Sequence, residues 1–328
     1  MNPKSNKTFI TACGTDVSAA ADFLFQGEVV AIPTETVYGL ACNAFDEHAV
    51  SEVFRLKNRP FFDPLIVHVA SKDRARDVVS ELPDVAQKLM DAFWPGPLTL
   101  LLPKKSAVPD LVTSGLGTVA VRMPSHPLAL ELLNALDFPL AAPSANPFGY
   151  VSPTTAAHVM GHFDGQIPYV LDGGACNVGI ESTIVGFTDG NAIVYRLGGI
   201  SLESLSEVVS GCELEIMQSN KPTAPGMLKS HYAPRTPLTI QSLEEFRSGH
   251  HVGSTAFISF KDAFEMDGVD VFVLSPLSDP SEAARNLFKV MRQVDNGSYD
   301  RIVAEKLPEV GLCRAINDRL FRASTQSE

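Results

Sequence analysis

The chain has 328 residues, 45% apolar and 20% charged, the composition of a soluble globular protein of about two domains. Its 38 acidic residues outnumber its 26 lysines and arginines, and the net charge of −12 argues against a protein built to wrap nucleic acid. Five scattered cysteines (Cys13, Cys42, Cys176, Cys212 and Cys313) have no CxxC spacing, no leader-type segment opens the chain, and no apolar run nears the ~20 residues of a membrane span, so a reduced cytoplasmic protein is expected.

In chain order, short apolar runs rich in β-branched residues fall at 29–33, 65–70, 98–103, 118–124, 139–146, 169–174, 182–187 and 192–198. Between them lie helical patterns. Residues 46–57 open on Asp46, a capping acid, and space Ala49, Val53 and Leu56 along one face; 126–136, 154–160 and 201–209 follow similar start signals. This alternation predicts an α/β domain with a mixed sheet over residues 8–215. Residues 216–243 then contain no acid at all but carry Lys221, Lys229, Arg235 and four prolines. The basic, extended stretch 216–237 is either a stiff tether between domains or a segment lying across an anionic ligand. Beyond it, strands at 255–260, 271–275 and 301–305 alternate with helical patterns at 279–294 and 314–324, which predicts a small C-terminal α/β domain over 238–328 with a parallel sheet.

Neither GxxxxGK[ST] nor GxGxxG after a strand occurs, so a phosphate site has to be assembled from cations, hydroxyls and backbone amides. Four stretches carry such groups. Thr34 and Thr36 in Pro33-Thr34-Glu35-Thr36 follow a strand, as turn or capping residues or as ligand groups. Lys57 and Arg59 sit at a helix end, where cations also complement the helix dipole, and His68 lies in the next strand. Ser144, Asn146 and Ser152 occupy a Pro- and Gly-rich loop after a strand, a common ligand position in α/β proteins. Glu181, Ser182 and Thr183 begin another strand, with Arg196 on the one after it. Arg122 is the most telling: a guanidinium among β-branched strand residues has to be paired or bind an anion. His158 and His162 lie four apart, but HVMGH lacks the glutamate of HExxH, and Ser144 in PSANP is not a GxSxG elbow, so neither a zinc site nor a hydrolase triad is expected.

Together PTETVYGL (33–40), KNRP with PLIVH (57–68), WPGPLT (94–99), TVAVRMP (118–124), PSAN with SPTTAAHV (143–159), GIESTIV (179–185) and YRLGGI (195–200) resemble the YrdC-like family. KSHYAPRTP (229–237) and AEKLPEVGLCRAINDRLFRAS (304–324) resemble its long two-domain members, the threonylcarbamoyl-AMP synthases. The resemblance implies a twisted mixed sheet with a concave cationic cavity and a small Rossmann-like C-terminal domain. It implies synthesis of threonylcarbamoyl-AMP and pyrophosphate from L-threonine, bicarbonate and ATP, with Mg2+ on the phosphates, the product passing to a separate tRNA threonylcarbamoyl transferase. Carried over motif by motif, Thr34, His68, Arg122 and Ser182 hold threonine. Lys57 and Arg59 are catalytic and, with Thr118, Ser144, Asn146, Ser152, Arg196 and Tyr232, hold ATP; no resident metal site is implied. Tyr232 reaches back from the linker, which favours a lid over a tether. After PSAN, Pro147 and Phe148 replace the family's small residues. The competing reading is an RNA-binding module, against which whole-chain charge and the lack of aromatics among the basic residues count. A carbamoyl-phosphate-using relative would carry zinc-finger and acylphosphatase segments, which this sequence lacks.

Overall fold

A computed structural model of the chain describes residues 9–188, 190–209, 214–217, 224–249 and 253–325. Every expected strand forms, and they merge into one eleven-stranded sheet in the order Ala12–Gly14, Tyr169–Leu171, Val30–Ile32, Gly39–Asn43, Leu140–Ala141, Ile66–His68, Thr118–Arg122, Leu98–Pro103, Thr183–Thr188, Asn191–Arg196, Leu214–Ile216. Parallel and antiparallel pairs are mixed, as the alternating pattern requires. The run at 139–146 shortens to two strand residues. Pro143 has no N–H to donate to a ladder, so the chain leaves the sheet there and PSAN becomes a loop.

The helices begin where the sequence caps them. Asp46 accepts from His48 and Ala49 N–H, and the helix Glu47–Lys57 ends on Asn58, left-handed at φ 52°. Asn tolerates that conformation, and the turn it makes sends both Lys57 and Arg59 into the interior. Among the described residues periodicity missed five helices: Val17–Phe25, capped by Asp16, Asp84–Phe93, and the short Lys72–Ala75, Asp110–Thr113 and Leu243–Ser248. The largest core lies between the sheet and the helices that cover it, around Val53, Phe54, Val67, Leu89, Leu100 and Val121.

The C-terminal unit is a four-stranded, all-parallel sheet in the order Leu238–Gln241, Arg301–Glu305, Thr255–Ser259, Val269–Val273, with helices Pro280–Val294 and Cys313–Ser324 packed on it. Its core is not closed on itself. Val37, Val151 and Ile180 of the first unit and Tyr232 of the linker belong to the same apolar cluster as Leu287, Phe288 and Leu320. Residues 218–223 of the linker lie outside the described residues, as do Cys212 and Lys221; from Ala224 onward the linker is packed, with Ala224 and Met227 on Ile66 and Ala120 of the large sheet. The linker thus lies against the large sheet as well as joining the two units. Among the described residues the cysteines are free, and no helix is long and apolar enough to cross a membrane.

One close approach fixes the strand start at 181–183. A Cβ built on Gly198 would lie 2.3 Å from the Glu181 carbonyl oxygen and 2.5 Å from Thr183 N, backbone atoms that cannot swing away. Gly198→Ala is expected to destabilise the protein by about 1–3 kcal/mol, the usual scale of overpacking, as read from a denaturant midpoint shift at unchanged slope.

Candidate active site

Strand register assembles the site. Ile66–His68 runs parallel to Thr118–Arg122 with His68 opposite Arg122, which puts imidazole and guanidinium side by side on one face at the strand ends. The neighbouring strand Leu98–Pro103 pairs Leu98 with Thr183, so Ser182 arrives beside them, its hydroxyl 2.7 Å from that of Thr99. Arg196 follows a register shift after Val194; it donates to the Ser182 carbonyl and, at 3.0 Å, to the Ser182 hydroxyl. These residues, with Thr34, Thr36, Arg59, Ser144, Glu181, His231 and Tyr232, line one cavity roofed by Pro225, Gly226 and the linker residues that follow.

Each cation is held by a defined set of acceptors. Arg122, 3% exposed, donates to the Gly96 carbonyl and the Thr36 hydroxyl, and its Nη2 lies 2.7 Å from Glu35 Oε1. That contact is ionic and off-axis: neither Glu35 oxygen has an aligned hydrogen bond. Arg59 donates to the Asp63 and Pro64 carbonyls and ion-pairs with Asp63 at 2.9 Å. Burial raises the Asp63 carboxyl above its ordinary range, and the facing Arg59 only partly offsets this. Arg196 reaches forward to the Pro225 carbonyl at 3.1 Å, tying the strand start to the roof.

His68 is kept neutral. Burial, then the adjacent Arg122 charge, push its pKa down to about 3, and its Nδ1 has no hydrogen-bond partner. His231 is shifted well below its ordinary value by the same two causes, burial first and then the Arg59 and Lys57 charges. The cavity therefore combines fixed positive charge with uncharged imidazoles.

Eight of the twelve residues singled out in the sequence line the cavity: Thr34, Arg59, His68, Arg122, Ser144, Ser182, Arg196 and Tyr232. Four do not, for identifiable reasons. Lys57 is 1% exposed and donates to the Ser144 and Asn146 carbonyls, so it clamps the PSAN loop from behind. Asn146 turns its amide onto the Pro147 and Tyr150 carbonyls, closing the turn that Gly149 completes at φ 80°. Ser152 donates to Glu181 at 2.6 Å. Thr118 shares a strand face with Ala120 and Arg122, but Ala224 and Met227 pack at Ala120, between it and the cavity. Thr34 satisfies both readings: it lines the cavity and also holds its own turn, donating to the Val37 carbonyl at 2.7 Å.

Sequence reasoning missed Glu35, Asp63 and Arg319 as parts of this network. Glu35 had a signal, standing between two threonines after a strand. Asp63 and Arg319 had no local signal that set them apart from other charged residues. His158 and His162 hold no metal cluster: Thr154 N–H donates to His158 Nδ1, Arg292 faces His162 Nε2 at 3.1 Å, and no group of metal-ligating residues occurs among the described residues.

Comparisons with known proteins identify the family. A family model described as "Telomere recombination" and named for Sua5, YciO and YrdC matches residues 22–198. A second, described as "Threonylcarbamoyl-AMP synthase, C-terminal domain", matches residues 200–325. The chain belongs to the Sua5/YciO/YrdC family. Among its relatives, the threonylcarbamoyl-AMP synthase of Pyrococcus abyssi is 40% identical over 94% of each chain, and that of Bacillus subtilis is 39% identical over 94% of this chain and 92% of its own. The crystal structure of P. abyssi Sua5 complexed with L-threonine superposes with a TM-score of 0.87 at 39% identity, covering 97% of this chain and 98% of that one.

The buried imidazole makes a pH signature. The folded pKa of His68 lies below the unfolded value of 6.5, so its contribution to stability is complete above about pH 6.5 and is lost progressively as pH falls toward about 3. His68→Asn is expected to flatten the fall in stability between pH 6.5 and 4 relative to the parent chain. Denaturant melts across that range check it, and parallel curves would show that His68 is not held neutral.

Proposed function

We propose that this chain condenses L-threonine, bicarbonate and ATP into threonylcarbamoyl-AMP and pyrophosphate. The observation that carries this reading is the charge imbalance around the cavity. Among the described residues five buried basic side chains (Lys57, Arg59, Arg122, Arg196 and Arg319) stand against three buried carboxylates, Glu35, Asp63 and Glu181, and the partly buried Asp318 that pairs with Arg319, in a chain whose net charge is −12. Burial pushes the Lys57 amine well below its ordinary range. A surplus of buried donors is costly unless an anion completes it.

Arg122 has five N–H groups and commits at most three, to Gly96, Thr36 and Glu35; the others are available to a substrate carboxylate. Uncharged His68 beside it can orient threonine's amine or hydroxyl without repelling the amine. The neutral amine adds to carbon dioxide and loses a proton to solvent, or condenses with bicarbonate and expels water, and an oxygen of the resulting carbamate then attacks the α-phosphorus as the bond to pyrophosphate breaks. Arg59 and Arg196 offset the charge that two approaching anions build up.

The P. abyssi protein solved with L-threonine supports the threonine assignment. Here the cavity holds about 50 Å³, room for a few waters and far below a nucleotide's needs. ATP entry therefore requires the linker from Ala224 to lift, and reclosure shields the adenylate from water. We assign the units as 8–215 for catalysis, 216–237 as lid and 238–328 as the C-terminal domain. Magnesium fits as a substrate-borne ion: Glu35, Asp63 and Glu181 are engaged by arginines, leaving the phosphates to supply its ligands. A cytoplasmic location and transfer of the product to a tRNA threonylcarbamoyl transferase complete the reading.

The test is pyrophosphate release from ATP and magnesium with threonine and bicarbonate omitted in turn and the product resolved by chromatography. Release that needs both, with an AMP product containing threonine, is expected; ATP left intact while RNA is retained on a filter overturns the reading. Arg122→Lys keeps the charge but loses the fork, and is expected to raise the threonine KM roughly 10- to 150-fold, the equivalent of about 1.5–3 kcal/mol for hydrogen bonds to a charged group.

A further inference from the structure

The helix Cys313–Ser324 turns Cys313, Ile316, Leu320 and Ala323 toward the core, and Arg319 stands on that same face with no exposure to solvent. An arginine on an apolar face has to be met by acceptors. Its Nε donates to Glu181 Oε2 at 2.7 Å and its Nη1 to Asp318 at 2.8 Å, while its guanidinium carbon lies 5.2 Å from the centre of the Tyr232 ring. Glu181 and Tyr232 line the cavity; Arg319 stands behind both.

Two features give this arrangement a purpose beyond packing. Glu181 is a carboxylate in the wall of a cavity otherwise rich in cations, its second oxygen taken by Ser152. Unpaired, it would repel a polyphosphate; Arg319 cancels that charge from the C-terminal unit. Tyr232 has φ 62°, a conformation a bulky side chain leaves unless its surroundings hold it. Here they do. Arg319 covers its ring, Phe288 packs at 5.5 Å, and Arg322 on the same helix grips the adjoining linker through the Leu228 carbonyl and His231 N–H.

We propose that Arg319 is a positioning residue for the nucleotide, supplied by the C-terminal unit: it neutralises Glu181 and holds Tyr232 in the cavity roof. This rests on the ATP-dependent reading above, and its role is specific to the anionic substrate. Threonine is zwitterionic, and of its four expected ligands Thr34, His68 and Arg122 take their partners elsewhere, while Ser182 meets Arg319 only through its chain neighbour Glu181.

Titration calorimetry on the full chain, with a non-hydrolysable ATP analogue and with threonine separately, tests this without depending on turnover. Arg319→Met is expected to weaken analogue binding about tenfold or more, one pair interaction at intermediate dielectric being ample for that, and to change threonine affinity less than twofold. In the double variant Glu181→Gln with Arg319→Met the repelling charge is gone, and most of the lost nucleotide affinity should return. Arg314→Ala, on the same helix and paired across the units with half-exposed Glu203, should leave analogue affinity unchanged. A double variant no better than Arg319→Met, or an equal loss for threonine, overturns the proposal. Should Arg319→Met not fold, Arg319→Lys takes its place: the charge is kept, and a tenfold loss of analogue binding would overturn the neutralising role. If the parent chain binds the analogue but releases no pyrophosphate, the catalytic reading fails while the positioning role is still read from the same titrations.

Discussion

The structure depends on one constraint, that positive charge buried in the α/β core must be met by oxygen acceptors the sheet does not need. Strand carbonyls are committed to ladders, so the acceptors come from loops. Arg59 uses the Asp63 and Pro64 carbonyls, Lys57 those of Ser144 and Asn146, Arg122 that of Gly96, and Arg196 those of Ser182 and Pro225. Proline recurs in these loops for a physical reason. It stops ladder pairing, having no N–H, and leaves nearby carbonyls free to point inward. The irregular segments are thus acceptor supports, and the cations they carry meet in one cavity.

The same constraint explains how the two units join. A carboxylate in the cavity wall, Glu181, is satisfied from opposite sides by Ser152 of the first unit and Arg319 of the second. Asp295 accepts from the Tyr150 hydroxyl and from the Arg235 and Thr236 backbone N–H groups, and Arg292 donates to the Val151 and Ser152 carbonyls. Polar staples of this kind surround an apolar patch shared by Val37, Val151, Ile180 and the C-terminal helices. The second unit contacts the linker residues over the cavity, and among its described residues no group of metal-ligating side chains occurs. An acid in the linker would itself settle among the cavity cations, so the acid-free run from 216 to 243 is the composition a roof over an anion site needs.

Charge and neutrality are separated by burial. The guanidiniums keep their charge at any working pH, whereas the desolvated imidazoles beside them, His68 and His231, lose theirs. The result is a cavity in which fixed positive charge lies beside uncharged ring nitrogens. This division follows from intrinsic basicity: the same desolvation that empties an imidazole of its proton is too small to deprotonate arginine.

The sequence by itself determined the elements that local chemistry fixes. Strand runs, the Asp46-capped helix and the parallel C-terminal sheet were legible because period and caps act over a few residues, whereas the run at 139–146 overran Pro143, where the strand had already ended. That Arg122 had to be paired or bind an anion was legible for the same kind of reason, since a guanidinium within a β-branched strand has no local partner, and the structure pairs it with Glu35. Only the tertiary structure decided which partner each charge takes. Register set His68 against Arg122, a helix nearly 140 residues away delivered Arg319 to Glu181, and Lys57, Asn146 and Ser152 turned behind the cavity to support it. Pairing across such separations depends on where the chain returns in space, and period and composition carry no record of that return.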